Sequence, residues 1–179
     1  MECNVVWFRN NLRIADHEPL AKAAKENKPL ICVYIFDPVF HGTLPLTGLP
    51  KTGKFRTKFL LQSLEDLKKS LQNLGNDLLI LNGNTAEQLK NICNPYTISG
   101  IYTTIEDTAE EIHIEKEVKK QLPQVEFHPY RTNTLLHPDD LPFSISQLPD
   151  MFTQFRHAVE KHWEIRSEER RVGKECRSR

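Results

Sequence analysis

The sequence is short of most signals that assign a function at sight. Neither charge is in excess: Lys plus Arg and Asp plus Glu are both 24 among 179 residues. The bulk charge therefore proposes neither a nucleic-acid nor a membrane surface. The longest apolar stretch, around Pro29 to Phe36, is far below the ~20 residues of a membrane-spanning helix, and no leader-like segment opens the chain. The expected location is cytoplasmic, nuclear or organellar, not secreted. Four cysteines, Cys3, Cys32, Cys93 and Cys176, form no CxxC pair and have no histidine at ligand spacing. They read as small buried hydrophobes in a reducing compartment, with no metal site. GxGxxG, GxxxxGK[ST], HExxH and GxSxG are all missing, which removes the commonest dinucleotide, P-loop, zinc-protease and esterase signatures.

What is present is an ordinary folded composition, 39% hydrophobic and 27% charged, at a length that suits one domain with a real core. Charge is uneven at one end only. Residues 168–179 carry five basic and three acidic side chains, +2, leaving residues 1–167 at −2.

Two apolar runs, Asn4 to Phe8 and Pro29 to Phe36, are too short for helices and too uniformly apolar for half-exposed strands, so they read as strands buried on both faces. Between them Asp16 stands where an N-cap belongs, followed by Glu18 and Pro19, which predicts a helix and a β-α-β unit. From Lys54 to Leu74, the residues Phe55, Phe59, Leu60, Leu64, Leu67, Leu71 and Leu74 recur at helical spacing as one stripe, ended by Gly75. The alternation continues with a strand at Asp77 to Leu81, a helix capped by Thr85 to about Cys93, and a strand at Ile98 to Thr103. A charged helix from Thr108 to Leu122 and a strand at Val125 to His128 complete it. Such alternation predicts an α/β fold: a Rossmann-like, doubly wound, five-stranded parallel sheet flanked by helices. Prolines 129, 138, 142 and 149 then mark an ordered connector. A last helix from Asp150 to about Trp163 puts Met151, Phe152, Phe155, Ala158, Val159 and His162 on one side.

Candidate site residues lie where the strands end, since ligands of open α/β sheets bind at the carboxyl edge. The segment VVWFRNNLR (5–13) delivers Arg9, Asn10, Asn11 and Arg13 there. The two arginines either tie the loop to neighbouring carbonyls and carboxylates or face a ligand. KTGKFR (51–56) is a basic, glycine-bearing helix start that could meet an anion or only solvent. Glu106 and Asp107 follow the fourth strand, where a carboxylate can accept two hydrogen bonds from an amide-amidine edge such as a pterin or guanine.

WFRNNLRIADHEPL (7–20) closely resembles the opening signature of the cryptochrome/photolyase family, in which Trp-Phe-Arg, an Asp, Leu-Arg and then Asp-Asn-x-x-Leu follow the first strand. LPKTGKFRTKFL (49–60) and DDLPFSISQLPDMFTQFRHAVEKHWEIRS (139–167) are similar to the DASH cryptochrome subfamily. Two positions depart from the pattern: Asn11 stands where the family usually has Asp, and His17 where it usually has Asn. Losing the Asp removes a charge partner for Arg9 or Arg13.

The resemblance implies three segments. Residues 1–130 would be an antenna-binding α/β domain, 131–167 a connector and the start of the link to a missing FAD-binding helical domain, and 168–179 a non-native tail like translated sequencing-adapter read-through. It implies that Glu106 binds the antenna, 5,10-methenyltetrahydrofolate, and assigns no catalytic residue to this segment. The parent would be a monomer, a blue-light FAD flavoprotein that repairs cyclobutane pyrimidine dimers in single-stranded DNA: a deoxyribodipyrimidine photolyase, a carbon–carbon lyase. A light-signalling cryptochrome without repair, or a free-standing nucleotide-binding α/β module, are the alternative expectations, and the segment alone is not expected to catalyse.

Overall fold

The structure is a computed structural model and describes residues 2–134 and 136–162. The expected tail, 168–179, lies outside the described residues, as do Trp163 and Cys176. The chain divides into two compact units, Met1–Asn133 and Thr134–Arg179.

The first unit holds five parallel strands: β1 (Glu2–Phe8), β2 (Leu30–Phe36), β3 (Leu78–Asn82), β4 (Thr97–Thr104) and β5 (Glu126–Tyr130). Their order is β3-β2-β1-β4-β5. The doubly wound parallel sheet expected from the alternation is the sheet observed. β1 is central, pairing Val6 with Cys32 of β2 and with Tyr102 of β4. Because side chains alternate across a strand, β1 feeds two cores. Val5 and Trp7 join Val33, Leu89, Ile101, Ile114 and Val118 on one face. Val6 and Phe8 join Cys32, Leu64, Leu67, Leu71 and Tyr102 on the other. Burial on both faces is why β1 and β2 are apolar runs rather than alternating ones.

Six helices are described: α1 (Glu18–Lys25), α2 (Pro38–His41), α3 (Lys54–Asn73), α4 (Thr85–Cys93), α5 (Ala109–Gln121) and α6 (Phe152–His162). Three local readings change. α1 is capped by His17, whose Nδ1 accepts the Leu20 N–H at 3.1 Å, while Asp16 takes a left-handed φ of 50°, a conformation Asp tolerates better than most residues. α4 is capped by Asn84, whose Oδ1 accepts the Glu87 N–H at 3.1 Å. Thr85 is its first helical residue and turns instead to Asp37, donating N–H and hydroxyl to Oδ2 at 2.8 and 2.7 Å. β5 runs on through Pro129 to Tyr130, which an edge strand permits because a missing donor there can face away from the sheet.

The long stripe of α3 is core only in part. Leu64, Leu67 and Leu71 are buried, but Phe55, Phe59 and Leu74 are 80%, 71% and 66% exposed, and the first two turns bury nothing. The helix ends as expected: Gly75 takes a φ of 80°, and Asn76 N–H returns to Leu71 O at 3.0 Å, a glycine-based stop.

In the second unit, short turns at Pro138–Asp140 and Ile145–Gln147 precede α6. Phe155 meets Phe143 edge-on, ring centroids 5.8 Å apart, and Phe152 at 6.3 Å. Of the expected apolar side of α6, Val159 is buried, whereas Met151 and Phe152 are exposed.

Candidate functional site at the carboxyl edge of the sheet

The winding direction reverses between β1 and β4, so the loops that leave them splay apart and open a crevice at their carboxyl ends. The crevice brings together residues from both loops and from the start of α5. Arg9 is buried there, donating to Thr104 O at 3.3 Å and Glu111 O at 3.4 Å, 3.7 Å from Glu115, with its guanidinium 4.7 Å over the Trp7 ring. Arg13 is turned outward, donating to Ala15 O and Asp16 O at 3.2 Å. Both arginines tie the loop to nearby carbonyls and both also line the cleft described below, so each of the two readings left open by the sequence keeps a structural counterpart.

Asn11 is also buried. One end of its carboxamide lies 2.8 Å from His17 Nε2 and 2.5 Å from Thr104 Oγ1; the other end has no partner among the described residues. Beside these residues is a cleft of about 500 Å³, walled in part by Trp7, Asn11, Tyr34, Phe40, Arg56 and Phe59.

Glu106 is 8% exposed, and its Oε1 finds no hydrogen-bond partner among the described residues. Burial and the neighbouring Glu111 push its pKa above the usual carboxyl range, against the opposing pull of Asn133, Arg9 and Asn10. A carboxylate left short of donors in a desolvated position can gain much from a donor-rich ligand. Glu106 is not among the residues lining the cleft; it stands at the end of β4, while the cleft lies at the ends of β1 and β2. Asp107 is exposed and paired with Arg131 at 2.9 Å.

The basic segment 51–56 does not act as one site. Lys51 donates to Val39 O at 2.7 Å and Glu110 at 3.1 Å, Lys54 rests 5.1 Å over the Phe55 ring, and Arg56 lines the cleft. Among the described residues Arg56 makes no hydrogen bond or ion pair. The sequence reading missed Asp37, whose Oδ1 caps α2 through Val39 N–H at 2.9 Å and whose Oδ2 holds Thr85. Its signal was available in Asp37-Pro38, an N-cap followed by proline at the first helical position. Of the cleft-facing aromatics, Tyr34 was legible only as part of an apolar run and Phe59 only as part of a helical stripe, and Phe40 gave no signal.

Cys3, Cys32 and Cys93 are free thiols, and burial pushes the thiol of Cys32 up to about 12. Among the described residues no group of three or more His, Cys, Asp or Glu could hold a metal, and no helix is long and apolar enough to cross a membrane.

A family profile described as DNA photolyase matches residues 4–172. The chain is 44% identical over 160 residues to the cryptochrome DASH of Synechocystis sp., covering 88% of this chain and 32% of that protein. To the cryptochrome DASH of Gloeobacter violaceus it is 41% identical over 159 residues, again covering 88% and 32%. The crystal structure of a Synechocystis sp. cryptochrome superimposes with a TM-score of 0.84 at 42% identity, covering 90% of this chain and 34% of that one. The chain therefore spans about a third of the length of these relatives. Sequence and fold agree that the chain belongs to the DNA photolyase family, beside the DASH cryptochromes.

Proposed function

We propose that this chain is the antenna-binding α/β domain of a DASH-type cryptochrome or photolyase. The observation that carries the reading is Glu106: a buried carboxylate with one unpartnered oxygen, just past the end of β4 at the switch point of the sheet. Its chemistry fits the pterin of 5,10-methenyltetrahydrofolate, because a carboxylate can accept the paired N–H donors of an amidine edge in charge-assisted hydrogen bonds. Bound there, the folate would absorb near-ultraviolet light and pass the energy to FAD, which would be held by the part of the parent matching the rest of the relatives' length. The work of this chain is to orient: Glu106 fixes the pterin edge, while Asn133, Arg9 and Asn10 nearby favour its ionised form.

The parent so read acts on cyclobutane pyrimidine dimers in single-stranded or otherwise damaged DNA, taking the lesion out of the stack for light-driven cleavage. The test is made in the full-length parent. Replacing Glu106 with Gln removes the charged acceptor, worth ~1.5–3 kcal/mol, or roughly ten- to a hundredfold in affinity. The expected result is loss of the folate absorbance that co-purifies with the protein. Folate retained at wild-type stoichiometry in a folded Glu106→Gln protein overturns the assignment, and a parent that leaves dimers intact under illumination would be a signalling protein.

A further inference from the structure

The loop that carries Glu106 joins β4 to α5, and one buried side chain holds both of its ends. Arg9 Nη1 donates to Thr104 O at 3.3 Å, two residues before Glu106, and Nη2 donates to Glu111 O at 3.4 Å, five residues after it. The Trp7 ring covers the guanidinium at 4.7 Å. A planar fork suits two carbonyls offered by different elements, whereas an ammonium on a flexible stem does not hold that geometry. The residues on either side of Glu106 are tied separately. Ile105 donates its N–H to Tyr130 O at 2.8 Å and accepts from Asn133 at 3.1 Å, and Asp107 is paired with Arg131. Only the carboxyl of Glu106 itself keeps an oxygen, Oε1, without a partner among the described residues of this loop.

The charges divide in the same way. Arg9 faces Glu106, Glu111 and Glu115, the last at 3.7 Å. Glu111 is the like charge that opposes ionisation of Glu106, and Arg9 counters it. The other carboxylates of the loop and of the first turn of α5 have cations of their own, Asp107 in Arg131 and Glu110 in Lys51. A guanidinium bonded straight to Glu106 would occupy the oxygen a ligand needs. Here the N–H groups of Arg9 go to backbone carbonyls, so its charge reaches Glu106 while Oε1 stays open.

We infer that Arg9 is a positioning residue for the site at Glu106: it clamps both ends of the loop and supplies the countercharge of the carboxylate while leaving Oε1 to the ligand. This rests on the reading of Glu106 as the carboxylate that meets a folate pterin. It goes beyond that reading in assigning the geometry and charge of Glu106 to a residue delivered by a different strand, β1.

Two variants separate the charge from the clamp, each followed by two readouts. The first readout is carbon-13 NMR of the Glu106 carboxyl in the ligand-free chain, with its signal assigned by its loss in Glu106→Gln. The second is the affinity of the full-length parent for 5,10-methenyltetrahydrofolate across a pH series. Arg9→Gln removes charge and fork together. The titration of Glu106 should move to higher pH, and folate affinity at pH 7 should fall about tenfold, the lower end of what losing the charged acceptor costs, and recover as pH is raised. Arg9→Lys keeps the charge, so affinity should fall with its pH dependence unchanged. A merely structural arginine would lower the melting midpoint in both variants and leave the titration of Glu106 in place. An unmoved Glu106 titration in folded Arg9→Gln overturns the inference, as does wild-type folate affinity in Arg9→Lys, which decides alone if Arg9→Gln does not fold. Folate lost in Glu106→Gln but bound normally by both Arg9 variants removes only the role of Arg9, whereas folate retained by Glu106→Gln overturns the underlying reading as well.

Discussion

Along the middle of the sheet, Val5, Val6, Val33 and Ile101 are buried among hydrocarbon on both faces; at its carboxyl edge, the buried groups are Arg9, Asn11, Asp37, Thr104 and Glu106. The two regions are stabilised differently. In the middle, each buried aliphatic side chain contributes ~1.5–3 kcal/mol by leaving water, with no demand on direction. At the edge, a buried polar group costs stability unless its partners are in place. Asp37 and Arg9 have theirs, whereas Asn11 and Glu106 each retain one polar atom without a partner. The third such atom among the described residues, Asn4 Oδ1, lies toward the amino end of β1, so two of the three buried polar atoms without a partner stand at the carboxyl edge, where a ligand could supply one.

That contrast can be broken or sharpened by substitution. The largest effect belongs to the middle: Leu67→Ala, at a fully buried position under the sheet, should lower unfolding free energy by ~2–5 kcal/mol in urea titration, through lost transfer energy and a cavity. A value near zero would mean that α3 is not packed as described.

A comparable loss should come at the edge from acid alone. The folded-state pKa of His17 is about 4 against an ordinary 6.5, so below pH 6.5 the unfolded chain takes up a proton that the folded chain refuses. Stability should fall as pH drops from 6.5 to 4, by ~3 kcal/mol in all, and level off beneath it. His17→Asn should flatten this part of the profile, as read by melting midpoints across the pH series.

Glu106 should show the opposite sign. Its carboxyl pKa is raised by burial and by Glu111, so its ionised form burdens the ligand-free fold. Glu106→Gln should stabilise the ligand-free chain at pH 7 by about 1 kcal/mol or less, read as a higher melting midpoint. The gain should fade as pH falls below the usual carboxyl value. A destabilised Glu106→Gln chain would mean that the carboxylate is fully satisfied, and the contrast between middle and edge would shrink.

The smallest effect is expected at Phe55, part of the same heptad-like stripe as Leu67 but 80% exposed. Phe55→Ala should change stability by no more than about 0.5 kcal/mol in the same urea titration. The pair measures how far the apolar stripe and the core coincide.

Much of the fold was legible because periodicity reports burial. The runs at residues 4–8 and 29–36 could only be strands covered on both sides, and the stop at Gly75 could only close a helix. Periodicity also misled. The stripe of α3 promised seven core residues, and the fold buries only three of them, because hydrophobicity marks what can be buried and not what neighbour is there. Caps were misplaced for a related reason: Asp16 and Thr85 are good capping types, but His17 and Asn84 were brought to the helix ends, and Thr85 was drawn to Asp37 from another strand end.

By itself the sequence determined the class of fold, the strand and helix order and the edge on which ligands would meet it, since these follow from local spacing of apolar residues and from the handedness of parallel connections. The Asn11–His17–Thr104 arrangement, the double use of Asp37 and the burial of Glu106 with an unpartnered oxygen were decided only in three dimensions. Asn11 meets Thr104 across 93 residues of chain and Asp37 meets Thr85 across 48, and a hydrogen bond requires a donor and acceptor placed within a few tenths of an ångström, which no pattern along the chain specifies.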